Sequence, residues 1–205
     1  MAGGQSSRMG MDKALVEFRG LPLVVHALNI LRAAGLSAAI AGARSDLNKY
    51  ALTISDFDTP EGPLSGICTA MEVTSVTRFV FVPVDLPLLP ASLLWLLQNH
   101  AQITGNAVTI TSVAGFVETF PVVLDSRSLP ALRAEFDAGR RGCFSAFRAA
   151  AAALGQQVNV VAAELLVQAG LVEHPEDLPP SRWFFNVNSE IDLRRAHAFS
   201  GVSVA

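Results

Sequence analysis

Three short apolar runs, AAIA at 38–41, FVFV at 79–82 and AVTITSV at 107–113, recur along the chain at helix-length intervals. Runs with so little polar alternation belong to strands buried on both faces, and strands joined by helix-length connections return in parallel through right-handed crossovers. The pattern predicts an α/β fold: a three-layer α/β/α domain around a mostly parallel, Rossmann-like sheet. In such sheets ligands bind beyond the carboxyl ends of the strands. A helix is predicted over 21–34, where Val24, Val25, Leu28 and Leu31 keep helical spacing between Pro22 and Gly35. Further helices are predicted from about 67 to 73, over 129–138 ahead of Gly139, and over the alanine-rich 144–154. Residues 164–183 read as a short helix and a proline-broken connector. With 205 residues, no internal repeat and no low-complexity linker, the chain is expected to form one domain over 1–205.

Hydrophobic residues make up 51% of the chain and charged residues 16%, which argues for a large core and against disorder. A formal net charge of −3 supplies no basic footprint for a nucleic-acid partner, although one phosphorylated ligand needs only a local cationic pocket. The stretch FVFVPVDLPLLPASLLWLL at 79–97 is long and apolar enough to span a bilayer. Pro83, Pro87, Pro90 and Asp85 inside it argue instead for a buried strand, a loop and a new helix, so no membrane span is expected. Cys68 and Cys143 are expected to be unpaired thiols in a cytoplasmic protein. His26, His100, His174 and His197 show no paired metal-ligand spacing, and no G-x-S-x-G element is present.

Four stretches carry chemistry. The opening MAGGQSSRMGMDKA is neither a Walker A loop nor a G-x-G-x-x-G fingerprint, but it joins glycines and hydroxyl residues to two cations, Arg8 and Lys13. Glycines let the backbone approach a phosphate chain, and the cations can neutralise it. Taken alone, such a terminus also reads as a solvated end. PVDLP at 83–87 puts Asp85 just past an apolar strand, where a hard oxygen suits Mg²⁺ bridging phosphates, and where Asp is equally an ordinary turn or cap residue. EGPLSGI at 61–67 precedes a helix. In FFNVNSEIDL at 184–193, Asn186 and Asn188 alternate with Val187 and so leave one side of an extended segment, while Ser189 and Asp192 have helix-start spacing.

Together, in this order, MAGGQSSRMGMDKA, GPLSGI, PVDLP and FNVNSEIDL resemble the signature of the molybdenum cofactor guanylyltransferase family, often called MobA, within the nucleotidyltransferase-like α/β fold. The resemblance runs over nearly the whole chain. It implies Mg²⁺-dependent transfer of GMP from GTP to molybdopterin with release of pyrophosphate. It also implies that Ala2, Gly3 and Gly4 line the nucleotide, that Lys13 contacts its phosphates, that Asp85 holds Mg²⁺ and that Asp56 adds an acidic nucleotide contact. Lys13 and Arg8 would stabilise charge on the leaving pyrophosphate, and Asn186, Asn188, Arg140 and Arg141 are candidates for the pterin side. Arg140 and Arg141 read equally as a solvated pair at a helix end. Molybdoenzymes or cofactor-handling proteins are the implied protein partners.

Gly3 within A-G-G leans towards guanine, since related cytidylyltransferases carry A-A-G. Four features depart from the family pattern. An asparagine usual at the end of the second strand falls near Ala41, where the side chain is absent; Phe120 precedes Pro121 at a place often polar; the connector after 163 is long. The fourth is the start: relatives carry Leu after several β-forming residues where this chain has Met1, so a truncated first strand, with translation from a Leu codon, is expected. Transfer of CMP, transfer to another phosphorylated acceptor, and nucleotide binding without catalysis are the alternatives the sequence leaves open.

Overall fold

The computed structural model describes residues 12–55 and 62–199. After a short 3₁₀ turn at Lys13–Leu15, Glu17–Phe18 (β1) and Leu21–Pro22 (β2) form an antiparallel ribbon that leads into the helix Leu23–Ala33 (α1). Ile40–Ala41 (β3) pairs in parallel with Thr53–Ile54 (β4). The helix Pro63–Val73 (α2) precedes Arg78–Phe81 (β5) and the long helix Ala91–Thr104 (α3). The hairpin Val108–Val113 (β6) and Phe116–Asp125 (β7) is followed by Leu129–Asp137 (α4) and Cys143–Ala153 (α5). Asn159–Ala162 (β8), Ala163–Gln168 (α6), Pro180–Trp183 (α7) and Glu190–Phe199 (α8) complete the described chain.

The larger sheet has strand order β5–β7–β6–β8, with β7 antiparallel to both neighbours and β8 parallel to β6. Strands β5, β6 and β8 therefore point one way and β7 alone points back. Of the expected runs, 79–82 and 107–113 lie parallel in this sheet as β5 and β6, while 38–41 holds β3, paired with β4 in a separate ladder among the described residues. Strand β8 is one the sequence does not predict, and the sheet is mixed because β7 inserts between β5 and β6. No strand over 116–125 is predicted from the sequence: Glu118 and Thr119 interrupt its apolar run, and a proline inside a central strand argues against one. The ladder accommodates Pro121 by a bulge. Thr109 faces Val123 and Thr111 faces Glu118, so four residues of β7 oppose Ile110 alone, and the Phe120–Pro121 bond within them is cis.

Alternation along the strands feeds two cores. On one face Val113 and Val123 meet Leu23, Val24, Leu93, Leu94, Leu97, Leu166 and Trp183 from the α1, α3, α6 and α7 side. On the other, Phe81, Val108, Ile110, Val122 and Leu124 meet Leu64, Ile67, Leu132 and Phe147 from α2, α4 and α5. This is the expected α/β/α layering. The expected helices are also present, with ends within a few residues of those read from the sequence. Gly62 opens α2 at φ 90° and ψ −177°, a conformation open to glycine and little else, and Pro63 follows in the first turn. Helix α3 closes on Gly105 in the left-handed region, its N–H reaching Ala101 O at 3.0 Å. Among the described residues no helix is long and apolar enough to cross a membrane. Both cysteines are free.

Candidate active site

Four residues beyond the last residue of β5, Asp85 lies at the carboxyl-end edge of β5, β6 and β8, where a ligand crevice is expected. Its backbone is held by the returning end of the chain: Val187 N donates to Asp85 O at 2.9 Å. Its Oδ2 accepts from Lys13 Nζ at 2.5 Å, in an ion pair whose side chains are 18% (Lys13) and 17% (Asp85) exposed. Its Oδ1 is buried and has no hydrogen-bond partner among the described residues. An ionised, desolvated carboxylate oxygen without a donor is costly, and it is the kind of hard ligand that Mg²⁺ takes together with phosphate oxygens. Among the described residues no group of three or more His, Cys, Asp or Glu side chains could hold a metal. The donor set thus fits an ion held by one carboxylate and completed by substrate phosphates and water.

Lys13 is placed by the 3₁₀ turn that carries it. Asp12 caps that turn, its Oδ1 accepting from Ala14 N at 3.1 Å, while Ala14 is buried in the core beneath. Asp12 is in turn gripped by Arg44, through Nη1 to Oδ1 at 3.0 Å and through Nη2 to Oδ2. Arg44 also clamps Asp46, through Nε at 2.8 Å and Nη2 at 2.7 Å. Arg44 lies three residues past β3, in the IAGAR segment where the family's asparagine is missing at Ala41. It fixes the turn that carries Lys13 through Asp12, and sequence reasoning missed it. The only available sign was a lone arginine after a strand end.

Asn188 completes the cluster: its Oδ1 accepts a second hydrogen bond from Lys13 Nζ. The amide is aimed by the start of α8. Ser189 Oγ donates to Asp192 Oδ2 at 2.7 Å and accepts from Asp192 N at 3.2 Å, and the same Asp192 Oδ2 accepts from Asn188 N at 3.2 Å. The Ser189 hydrogen bond, helped by Asn188 N and opposed by partial burial, holds the Asp192 carboxyl below its usual range. This is a reciprocal capping arrangement with Asp in place of Glu or Gln. Asn186 and Asn188 are both exposed on either side of buried Val187, as the alternation predicts. Only Asn188 reaches Lys13; Asn186 Nδ2 turns back to Phe184 O at 3.4 Å.

The two arginines of the α4–α5 connection are not drawn into this cluster. Arg140 forms a fork with Glu135, both contacts at 2.6 Å, and Arg141 donates to Phe136 O while lying 4.0 Å over the Phe136 ring. Both sets of contacts are made to the end of α4. The sequence-predicted residues Ala2, Gly3, Gly4, Arg8 and Asp56 lie outside the described residues, as does the expected first strand.

Residues 116–121 of β7 run past the last pair of β5, Phe81 with Val122, and so stand at the same end of the sheet as Asp85. Glu118 lies there, opposite Thr111, and burial pushes its carboxyl above the usual carboxylate range. Sequence reasoning missed this wall together with its strand.

Comparison with known proteins follows the same lines as the geometry. A family model described as "MobA-like NTP transferase domain" matches residues 1–158. A molybdenum cofactor guanylyltransferase of Xanthomonas euvesicatoria pv. vesicatoria is 43% identical over 96 residues, 46% of this chain and 49% of that one. One of Pseudomonas putida is 33% identical over 147 residues, 69% of this chain and 76% of the relative. In three dimensions, molybdopterin-guanine dinucleotide biosynthesis protein A from Archaeoglobus fulgidus superposes with a TM-score of 0.75 over 98% of this chain and 96% of its own. At 20% identity that likeness bears on the fold.

Proposed function

Because the chain belongs to the MobA-like NTP transferase family and is a nucleotidyltransferase acting in molybdenum cofactor metabolism, we propose that it transfers GMP from GTP to molybdopterin. The observation that carries the reading is Lys13 Nζ held between Asp85 and Asn188 beside the unpaired Asp85 Oδ1. A cation and a hard anionic oxygen side by side at the carboxyl end of β5 suit a triphosphate and its counter-ion, and such a transfer needs positioning and charge neutralisation more than a protein nucleophile. A phosphate oxygen of molybdopterin attacks the α-phosphorus of GTP; the bond to the bridging oxygen breaks, and pyrophosphate leaves with the electron pair.

Mg²⁺, held by Asp85, would neutralise the phosphate oxygens and align them for this attack. Lys13 binds the phosphates and offsets charge on the leaving pyrophosphate, and Asn188 steers the ammonium through its amide oxygen. Ala2, Gly3 and Gly4 line the nucleotide, with Gly3 supporting guanine; Arg8 assists Lys13, and Asp56 adds a nucleotide contact. Asn186, exposed two residues before Asn188, is a candidate contact for the acceptor, as are Arg140 and Arg141. The decisive assay incubates purified protein with Mg²⁺, molybdenum cofactor and either GTP or CTP. Formation of the guanine dinucleotide is expected. The cytosine product in its place overturns the base assignment, and no dinucleotide with either overturns the acceptor.

A further inference from the structure

At the other end of β5 from Asp85, where β5 begins and β7 ends, a cavity of about 630 Å³ opens against α3. Arg78, the first residue of β5, faces Asp125, the last of β7, as a cross-strand pair. Asp125 is 6% exposed and already well served. Its Oδ1 accepts from Arg127 N at 3.0 Å and from Arg127 Nε at 2.8 Å, and its Oδ2 accepts from Arg127 Nη2 at 3.2 Å. Arg78 Nη1 stands 3.4 Å from the same Oδ2, close enough for an ion pair, yet it makes no hydrogen bond and is buried from water. Two guanidinium groups thus share one carboxylate, and Arg78 Nη1 is left without an acceptor of its own.

A buried charged donor left unsatisfied is rare in folded proteins and calls for an acceptor from outside the fold. The rest of the wall can serve the body of such a ligand. Gln98 and Gln102, one turn apart on α3, both line the cavity, and neither amide has a hydrogen-bond partner among the described residues. The volume falls within the range of small-molecule sites.

We propose that this cavity is a binding site for a small organic oxyanion, a phosphate or carboxylate, seated on the Arg78 guanidinium with its polar body against Gln98 and Gln102. The site shares no residue with the Lys13–Asp85 cluster and does not rest on the transferase reading.

The test uses the full chain carrying Lys13→Met, so that anion binding at the other end of β5 is weakened, with inorganic phosphate and acetate as probes. Side-chain amide signals of Gln98 and Gln102 are followed by ¹H–¹⁵N spectroscopy at constant ionic strength. Saturable shifts of both amides are expected with at least one probe, and the effective probe names the oxyanion. Arg78→Met is expected to weaken the interaction about tenfold or more through loss of the charged fork. Gln98→Leu, on a helix face that tolerates leucine, tests the same point should Arg78→Met fail to fold, and is expected to weaken binding several-fold. No saturable shift with either probe, equal shifts with chloride, or unchanged affinity in a folded Arg78→Met or Gln98→Leu protein overturns the site.

Discussion

Lys13 divides its hydrogens between an anion and a neutral amide, and the two partners do different work. Asp85 holds the charge of the ammonium, while Asn188 holds its direction. Asp85→Asn keeps the shape and removes the charge, so turnover is expected to fall by about 10²-fold or more, with the circular dichroism spectrum unchanged. Wild-type turnover in that variant would remove Asp85 from the chemistry. Asn188→Ala leaves Lys13 charged but less well aimed; kcat is expected to drop about tenfold, with a smaller change in KM for GTP. Steady-state kinetics separate the two. Lys13, Asp85 and Asn188 are all legible in the sequence because each lies in a local pattern: a glycine-rich loop, a strand end, an alternation. Arg44 is not, because its task depends on Asp12, 32 residues away, and nothing local encodes that approach. Arg140 and Arg141 show the converse. Their adjacency is visible in the sequence, whereas their partners, Glu135 and the Phe136 carbonyl, lie one helical turn back.

Elements were readable in proportion to how far their own residues determine them. The helices carry apolar spacing and end signals, and their positions follow. Strand β7 carries neither: its burial is decided by β5 and β6 on either side, and its bulge absorbs a proline that reads as a strand breaker. Helix α8 lies between these extremes. Its Ser189–Asp192 pair is visible in the sequence, yet Asp192 also accepts from the backbone of Asn188, so the cap doubles as a mount for the site. Ser189→Ala is expected to cost about 1 kcal/mol of stability by thermal denaturation. It should also lower kcat in the same direction as Asn188→Ala, because the amide loses its mount. A stability loss with kcat untouched would separate the cap from the site.

The molecule as a whole is closed by the connector between α6 and α7, the part of the sequence least open to interpretation. His174, 7% exposed, accepts from Glu176 N at Nδ1 (3.0 Å) and donates from Nε2 to Leu88 O (3.1 Å), which ties the connector to the loop beyond Asp85. Trp183 stacks near it and donates from Nε1 to Leu178 O at 2.7 Å. The His174 anchor reaches Leu88 across 86 residues, which is why the segment reads as broken in one dimension. Burial lowers the affinity of His174 for a proton, and its bond to Leu88 O only partly opposes this. An unfolded chain takes up that proton near its ordinary value of about 6.5 while the folded chain resists it, so stability falls as pH drops through that value. Thermal midpoints are expected to decrease from pH 7.5 to 5.5, and the decrease should shrink in His174→Gln. Some remains, because burial shifts His26 in the same direction. An equal decrease in His174→Gln would release His174 from this role.

Asn188 meets Lys13 across 175 residues of chain, and Val187 meets Asp85 across the same seam. During synthesis, Lys13 and Asp85 leave the ribosome long before the α7–α8 connection that completes their cluster. A polypeptide stalled short of residue 188 therefore holds its phosphate-facing cation with one partner in place of two. The two ends of the chain must both be present before Lys13 has its full set of partners.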